Sequence, residues 1–184
     1  MDVQNTSLPG VLMISPTVFQ DERGYFFESW KHSAYQSLGL AEQFVQFNIS
    51  QSGQGVLRGL HFQHPNGQGK LISVLEGEIF DVAVDIRPDS PSFRHWEGFH
   101  LSAEDHRQIF IPEGYAHGFL VLSEGALVNY LCTCEYDPEA DASLLWNDPE
   151  LAIEWPAQPL SVSAKDAVAP KIADLSAEKL PRYF

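Results

Sequence analysis

The 184-residue chain has no apolar run approaching the roughly 20 residues that a membrane-spanning helix needs. It is short of positive charge: 11 Lys and Arg stand against 25 Asp and Glu, a net charge of −14. The basic residues are scattered, so no stripe is expected to grip a phosphate backbone, and a nucleic-acid partner is not expected. An anionic ligand must then be held by a few local cations against the overall field. Cysteine is scarce. Cys132 and Cys134 are too close for an ordinary structural staple and would share one face of a strand. They read as buried free thiols, and two thiols are too few for a zinc site. The opening Met1-Asp2-Val3-Gln4-Asn5 lacks the basic start and apolar run of a secretion signal, which gives the expectation of a soluble, cytoplasmic protein. Internal repeats and low-complexity tracts are absent. Helical periodicity is scant, with short pieces near 32–38 and 173–179.

What remains is strand. Short segments rich in β-branched and aromatic residues recur along the chain: 11–14, 24–30, 44–50, 57–63, 70–75, 78–86, 97–101, 108–112, 118–122 and 126–133. Turn signals separate them, including Glu76-Gly77, Arg87-Pro88-Asp89-Ser90-Pro91 and Pro112-Glu113-Gly114. About ten strands at this spacing predict an all-β fold, an antiparallel sandwich or barrel with a few short helices. Residues 1–184 read as a single domain, with the Pro-rich stretch from Asp137 an irregular C-terminal wrap.

Two segments carry chemistry-bearing residues. One is Gly55-Val56-Leu57-Arg58-Gly59-Leu60-His61-Phe62-Gln63, followed by Gly69-Lys70-Leu71; the other is Pro112-Glu113-Gly114-Tyr115-Ala116-His117-Gly118-Phe119. Together they resemble the two motifs of the cupins, which implies a jelly-roll barrel. Metal-binding cupins carry two His separated by one residue in the first motif. Here Gln63 stands where the second would be, so the donor set is incomplete, and neither metal nor cofactor is expected. By residue type alone, Tyr130 reads equally as a core tyrosine with a satisfied hydroxyl. Lys70 reads as a strand lysine blunting an edge, and Asp166 as a turn former. His32, His64, His95, His100 and His106 read as structural or solvent-facing. In a regular strand Arg58 and His61 would face opposite sides; both reach one ligand if Gly59 bulges the strand or if Arg58 sits at the cavity rim.

A closer resemblance comes from the motifs taken jointly: 21–28 (Asp-Glu-Arg-Gly-Tyr-Phe-Phe-Glu), 46–50, 55–63, 77–87, 111–122, Tyr136-Asp137-Pro138-Glu139, Trp146-Asn147-Asp148-Pro149 and Ser163-Ala164-Lys165-Asp166. In this order they cover most of the chain and resemble the dTDP-4-dehydrorhamnose 3,5-epimerases. The resemblance implies a nucleotide-linked 4-keto-6-deoxyhexose as substrate, whose ketone acidifies the hydrogens on C3 and C5. It implies His61 as base, oriented by Asp166, Tyr130 as proton donor on the opposite face, and Lys70 beside the C4 oxygen. It also implies substrate contacts at Arg23, Glu28, Gln46, Asn48, Arg58, Lys70, His117, Asp141 and Lys165, and a homodimer with residues 1–50 exchanged between subunits. Arg suits a diphosphate because its planar fork binds two oxygens at once. Where many members have Tyr-Lys and then Asp-Tyr-Tyr, this chain has Tyr130-Leu131 and Cys134-Glu135-Tyr136. That departure leaves nucleotide preference and the outcome of epimerisation open. The alternatives are a single-centre epimerase of a related sugar nucleotide and a metal-dependent cupin enzyme.

Overall fold

In the computed structural model, which describes residues 1–40 and 43–183, alternating side chains sort cleanly to two faces. In chain order the strands are β1 (Asp2–Asn5), β2 (Leu12–Ser15), β3 (Phe19–Asp21) and β4 (Gly24–Phe26), followed by helix α1 (His32–Ser37). Next come β5 (Gln46–Gly53), β6 (Val56–Gln63), β7 (Lys70–Glu76), β8 (Glu78–Asp85), β9 (Trp96–Ser102), β10 (Gln108–Ile111), β11 (Tyr115–Val121) and β12 (Gly125–Cys132). The chain ends with β13 (Asp141–Ser143), β14 (Ser161–Val162), the one-turn helix α2 (Ala164–Ala167) and two 3-10 turns, Ile172–Asp174 and Ala177–Lys179.

Two sheets form an antiparallel jelly-roll barrel, the all-β class expected. The first runs β1-β2-β10-β7-β12-β5; the second runs β13-β6-β11-β8-β9, with β14 added to β6 in parallel. A core of Ile72, Val74, Ile79, Ala83, Phe119, Ala126 and Val128 fills the space between them. Leu60, Phe62, Phe80, Val82, Val84 and Ile86 instead form a second core, which Leu144, Leu151, Ile172 and Leu180 from the C-terminal stretch cover. A third, with Ile14, Tyr35, Leu40, Leu71 and Phe110, lies under α1. Thus Val56 packs on the inner core, whereas Leu60 and Phe62 face outward.

The structure differs from the sequence reading in several places. The expected strand over 24–30 is only three residues long and makes a separate hairpin with β3. The expected helix at 173–179 is the pair of 3-10 turns. Glu76-Gly77 joins β7 and β8, but these strands pair in different sheets, so the link is a corner and not a hairpin. Gly77 turns it at φ +78°, where an added Cβ would lie 2.0 Å from the Gly125 carbonyl oxygen.

Candidate active site

The bulge in β6 sets the site. On β11, His117 pairs with His61 and Phe119 with Arg58, so two steps on one strand oppose three on the other. The extra residue reverses the inward–outward phase of β6 between Arg58 and His61. Gly59 makes this possible at φ +118°, where a Cβ would lie 2.6 Å from the Gly118 Cα and 2.7 Å from the His117 carbonyl oxygen. Odd spacing therefore does not separate Arg58 from His61.

A cavity of about 520 Å³ opens between the sheets, lined by Gln46, Asn48, Lys70 and Tyr130 from the first and by His61, Gln63 and Asp141 from the second. Phe47, Ile49, Phe62, Gln68 and Tyr136 complete it. His61 and Tyr130 thus project from opposite sheets into one space.

His61 Nε2 lies 2.7 Å from Asp166 Oδ1, across 105 residues of sequence. The parallel pairing of Ser161 and Val162 with Val56 and Leu57 brings α2 alongside β6. Ser163 caps α2 by accepting a hydrogen bond from the Asp166 amide at 3.1 Å. The other Asp166 oxygen accepts from the Gly59 amide at 3.3 Å. The carboxylate is therefore buried and held on both oxygens, while the imidazole stays partly open to the cavity.

The opposite wall is more loosely tethered. Tyr130 is flanked by Asn48 and Ile72 in the ladder, and its hydroxyl makes no protein hydrogen bond among the described residues. Burial raises its pKa, with Cys132 adding and the Arg58 guanidinium opposing. Among the described residues Lys70 Nζ reaches only the Gln68 carbonyl oxygen, at 3.4 Å. Burial lowers its pKa, and Cys132, Asp141 and Asp81 pull it back up. Cys132 pairs with Lys70 in the ladder and is a fully buried free thiol; burial raises its pKa, while Lys70 and Asn48 oppose this.

Other expected residues sit around this centre. Arg58 donates to Ser52 Oγ at 2.8 Å and to the Gln51 carbonyl oxygen at 3.2 Å. Asp141 accepts from Lys165 and, at 3.2 Å, from the Tyr136 hydroxyl. His117 is buried behind the cavity wall and bonds Asp81 at 2.8 Å. Arg23 and Glu28 are not brought to the cavity of their own chain: Arg23 pairs with Asp21 in the β3–β4 hairpin, and Glu28 with Lys31. Of the other histidines, His100 pairs with Glu78 at 3.1 Å, and His106 packs against Tyr25 and Phe27.

Gln63, noted in the sequence only as a missing metal ligand, pins a loop. Its amide nitrogen donates to the Asn66 and Glu135 carbonyl oxygens, and its amide oxygen accepts from the Asp137 amide. Gln68 likewise donates to the Cys134 carbonyl oxygen at 2.7 Å. Both residues line the cavity and escaped the sequence reading; the two-residue spacing of Gln63 from His61 was the available signal for the first. No group of three or more His, Cys, Asp or Glu among the described residues is arranged to hold a metal ion. The departures from the family pattern lie off the cavity. Leu131 packs on the cluster under α1, and Cys134 and Glu135 meet the site through backbone carbonyls.

Fold and site together define a jelly-roll barrel with His61 and Tyr130 on two facing walls, and the comparisons make it an isomerase. The family model for dTDP-4-dehydrorhamnose 3,5-epimerase matches residues 5–174. The chain is 53% identical over 173 residues to the dTDP-4-dehydrorhamnose 3,5-epimerase of Salmonella typhimurium, covering 92% of this chain and 94% of that one. Among solved structures, the Legionella pneumophila dTDP-6-deoxy-D-glucose-3,5-epimerase in complex with dTDP-4-keto-L-rhamnose superposes with a TM-score of 0.96 at 49% identity, covering 100% and 98% of the two chains. ChmJ, a 3'-monoepimerase from Streptomyces bikiniensis solved with dTDP-quinovose, gives 0.89 at 33%, covering 97% and 92%. The chain belongs to the dTDP-4-dehydrorhamnose 3,5-epimerase family.

Proposed function

We propose the following division of labour for the family's reaction, inversion of C3 and C5 of dTDP-4-dehydro-6-deoxyglucose to dTDP-4-dehydro-L-rhamnose, a step of dTDP-L-rhamnose biosynthesis. The C4 ketone makes both neighbouring C–H bonds acidic. His61 takes the proton from one face, and Asp166 holds the ring in the productive orientation. The electron pair left behind delocalises onto the C4 oxygen, where the Lys70 ammonium stabilises the developing enolate. Tyr130 returns a proton from the opposite face, and its raised pKa keeps it a donor through neutral pH. The same sequence at the second carbon completes the product. The ketone itself stores the charge, so the step needs no redox partner. The observation that carries this reading is the shared cavity, with His61 and Tyr130 opening into it from opposite sheets.

Arg58, Gln46, Asn48, His117, Asp141 and Lys165 surround this centre as substrate contacts. Arg23 and Glu28 serve the cavity of a second copy in a homodimer. Support comes from the β3–β4 hairpin, where Phe19, Tyr25 and Phe26 are each more than half exposed beside Arg23. An apolar group of that size on one hairpin suits a protein partner. Val45, Phe47 and Ile49 along the edge strand β5 add to the uncovered apolar surface. A cytoplasmic setting suits two free cysteines. No helix among the described residues is long and apolar enough to cross a membrane.

Incubation with dTDP-4-keto-6-deoxyglucose in deuterated water tests the reading. Deuterium is expected at both C3 and C5 by NMR. Label at one carbon only would make the enzyme a single-centre epimerase, and none at all would overturn the assignment. Light scattering is expected to give twice the 20.6 kDa chain mass.

A further inference from the structure

Asp81 lies on β8 with its side chain on the inner face, in phase with Ile79 and Ala83 of the inner core, and is fully buried. One oxygen, Oδ2, bonds His117 Nε2 at 2.8 Å. The other, Oδ1, is buried without a hydrogen-bond partner. A carboxylate so placed needs a compensating cation, because burying an unpaired charge is costly. Lys70 lies on the facing sheet, in phase with Ile72 and Val74 of the same inner core, and lines the cavity. The charges that bear on it are Cys132 from β12, Asp141 from β13 and Asp81 from β8, in that order; His61 from β6 and Tyr130 from β12 line the same cavity, and His117 from β11 bonds Asp81. Of the two carboxylates, Asp141 is committed to Lys165 and Tyr136, while Asp81 keeps an oxygen free. Cys132 and Tyr130 are both driven towards their neutral forms by burial.

We propose that Asp81 is a positioning residue of this enzyme: one carboxylate oxygen orients the His117 ring, and its charge serves as the counter-ion that keeps Lys70 an ammonium in the interior. The inference rests on the role given to Lys70 above. It adds an element that acts through Lys70, which lines the cavity, and through the buried His117. Burial pulls the Lys70 pKa down, and Asp81 is among the groups that oppose it. The neutral isostere Asp81→Asn removes the charge while retaining a side chain able to bond His117.

The test follows Lys70 directly. Competitive acetylation of Lys70 with acetic anhydride, read by mass spectrometry from pH 6 to 11, gives the pH of half-maximal labelling in the wild type and in Asp81→Asn. The midpoint is expected to fall in the variant by up to about one pH unit, the direction that loss of an opposite charge dictates. Superimposed curves would overturn the proposal. The alkaline limb of epimerisation should shift in the same direction, with dTDP affinity little changed; a purely structural residue would lower thermal stability and leave both curves in place. Should Asp81→Asn not fold, Asp81→Ser, smaller and equally uncharged, is labelled in its place, with the same fall expected and superimposed curves again overturning the proposal. Labelling needs no turnover, so a wild type inactive in deuterated water would overturn the functional assignment and leave this readout to decide on Asp81.

Discussion

The two walls of the cavity are built on different principles. On the His61 wall, hydrogen bonds fix the chemistry in advance: Asp166 is held by the Gly59 amide and the Ser163 cap, and His117 by Asp81. On the Tyr130 wall, strand register and packing place the side chains: among the described residues the phenol makes no hydrogen bond and Lys70 reaches one carbonyl. In the proposed mechanism a base must be aimed before the substrate's weakly acidic C–H bond can be broken, whereas the donor and the oxyanion partner gain their own partners when the sugar arrives. The hydrogen-bonded wall is therefore the one where a conservative change should disturb geometry, and the packed wall the one where it should disturb only charge or proton supply.

Substitutions separate the two. His61→Ala should lower solvent exchange at both sugar carbons by on the order of 10³-fold or more, leaving dTDP binding close to wild type in calorimetry. Tyr130→Phe should lower net epimerisation on the order of 10²-fold while deuterium exchange falls much less, since abstraction belongs to the other wall. Equal loss of both would make the walls equivalent. The alkaline limb of kcat should report Lys70, whose pKa burial lowers, because the neutral amine no longer stabilises an enolate. Activity is thus lost as pH rises through that lowered value. Tyr130, whose pKa burial raises, remains a donor over the same range. Lys70→Arg, with a cation that keeps its proton, should remove that limb in a pH–rate profile. The smallest effect is expected for Leu131→Lys, which restores the commoner family residue on the side of β12 away from the cavity. A change in kcat/KM below about twofold is expected, the range of a peripheral substitution.

The strands of the two sheets were legible where six to eight residues of β-branched and aromatic character run between turn signals, as in 57–63 and 78–86. The elements missed, β1, β3, β13 and β14, have two to four residues; β1 and β3 pair with the next strand in the chain, while β13 and β14 exist because the distant β6 offers a ladder. Asp141–Ser143 and Ser161–Val162 both depend on β6, and neither carries a pattern of its own. Within the site, His61, Lys70 and Tyr130 emerged through the family resemblance, because each has an ordinary structural reading alone. Gln63 and Gln68 were missed because their amides serve loop carbonyls that no local pattern announces. Asp81 was missed because its partner, His117, lies 36 residues away on the next strand of the sheet. The phase reversal at Gly59 was only conditional in the sequence: spacing posed the conflict between Arg58 and His61, and the register across β11 resolved it.

The crossing at Gly59 has a counterpart. A side chain at Gly118 would lie 2.6 Å from the Arg58 carbonyl oxygen and 3.1 Å from the Gly59 Cα, just as one at Gly59 would strike Gly118. Each position is vacant because the other needs the room, so no order of mutational steps frees either of them. Directed evolution that seeks new sugars in this cavity should leave the two glycines untouched and explore the far wall.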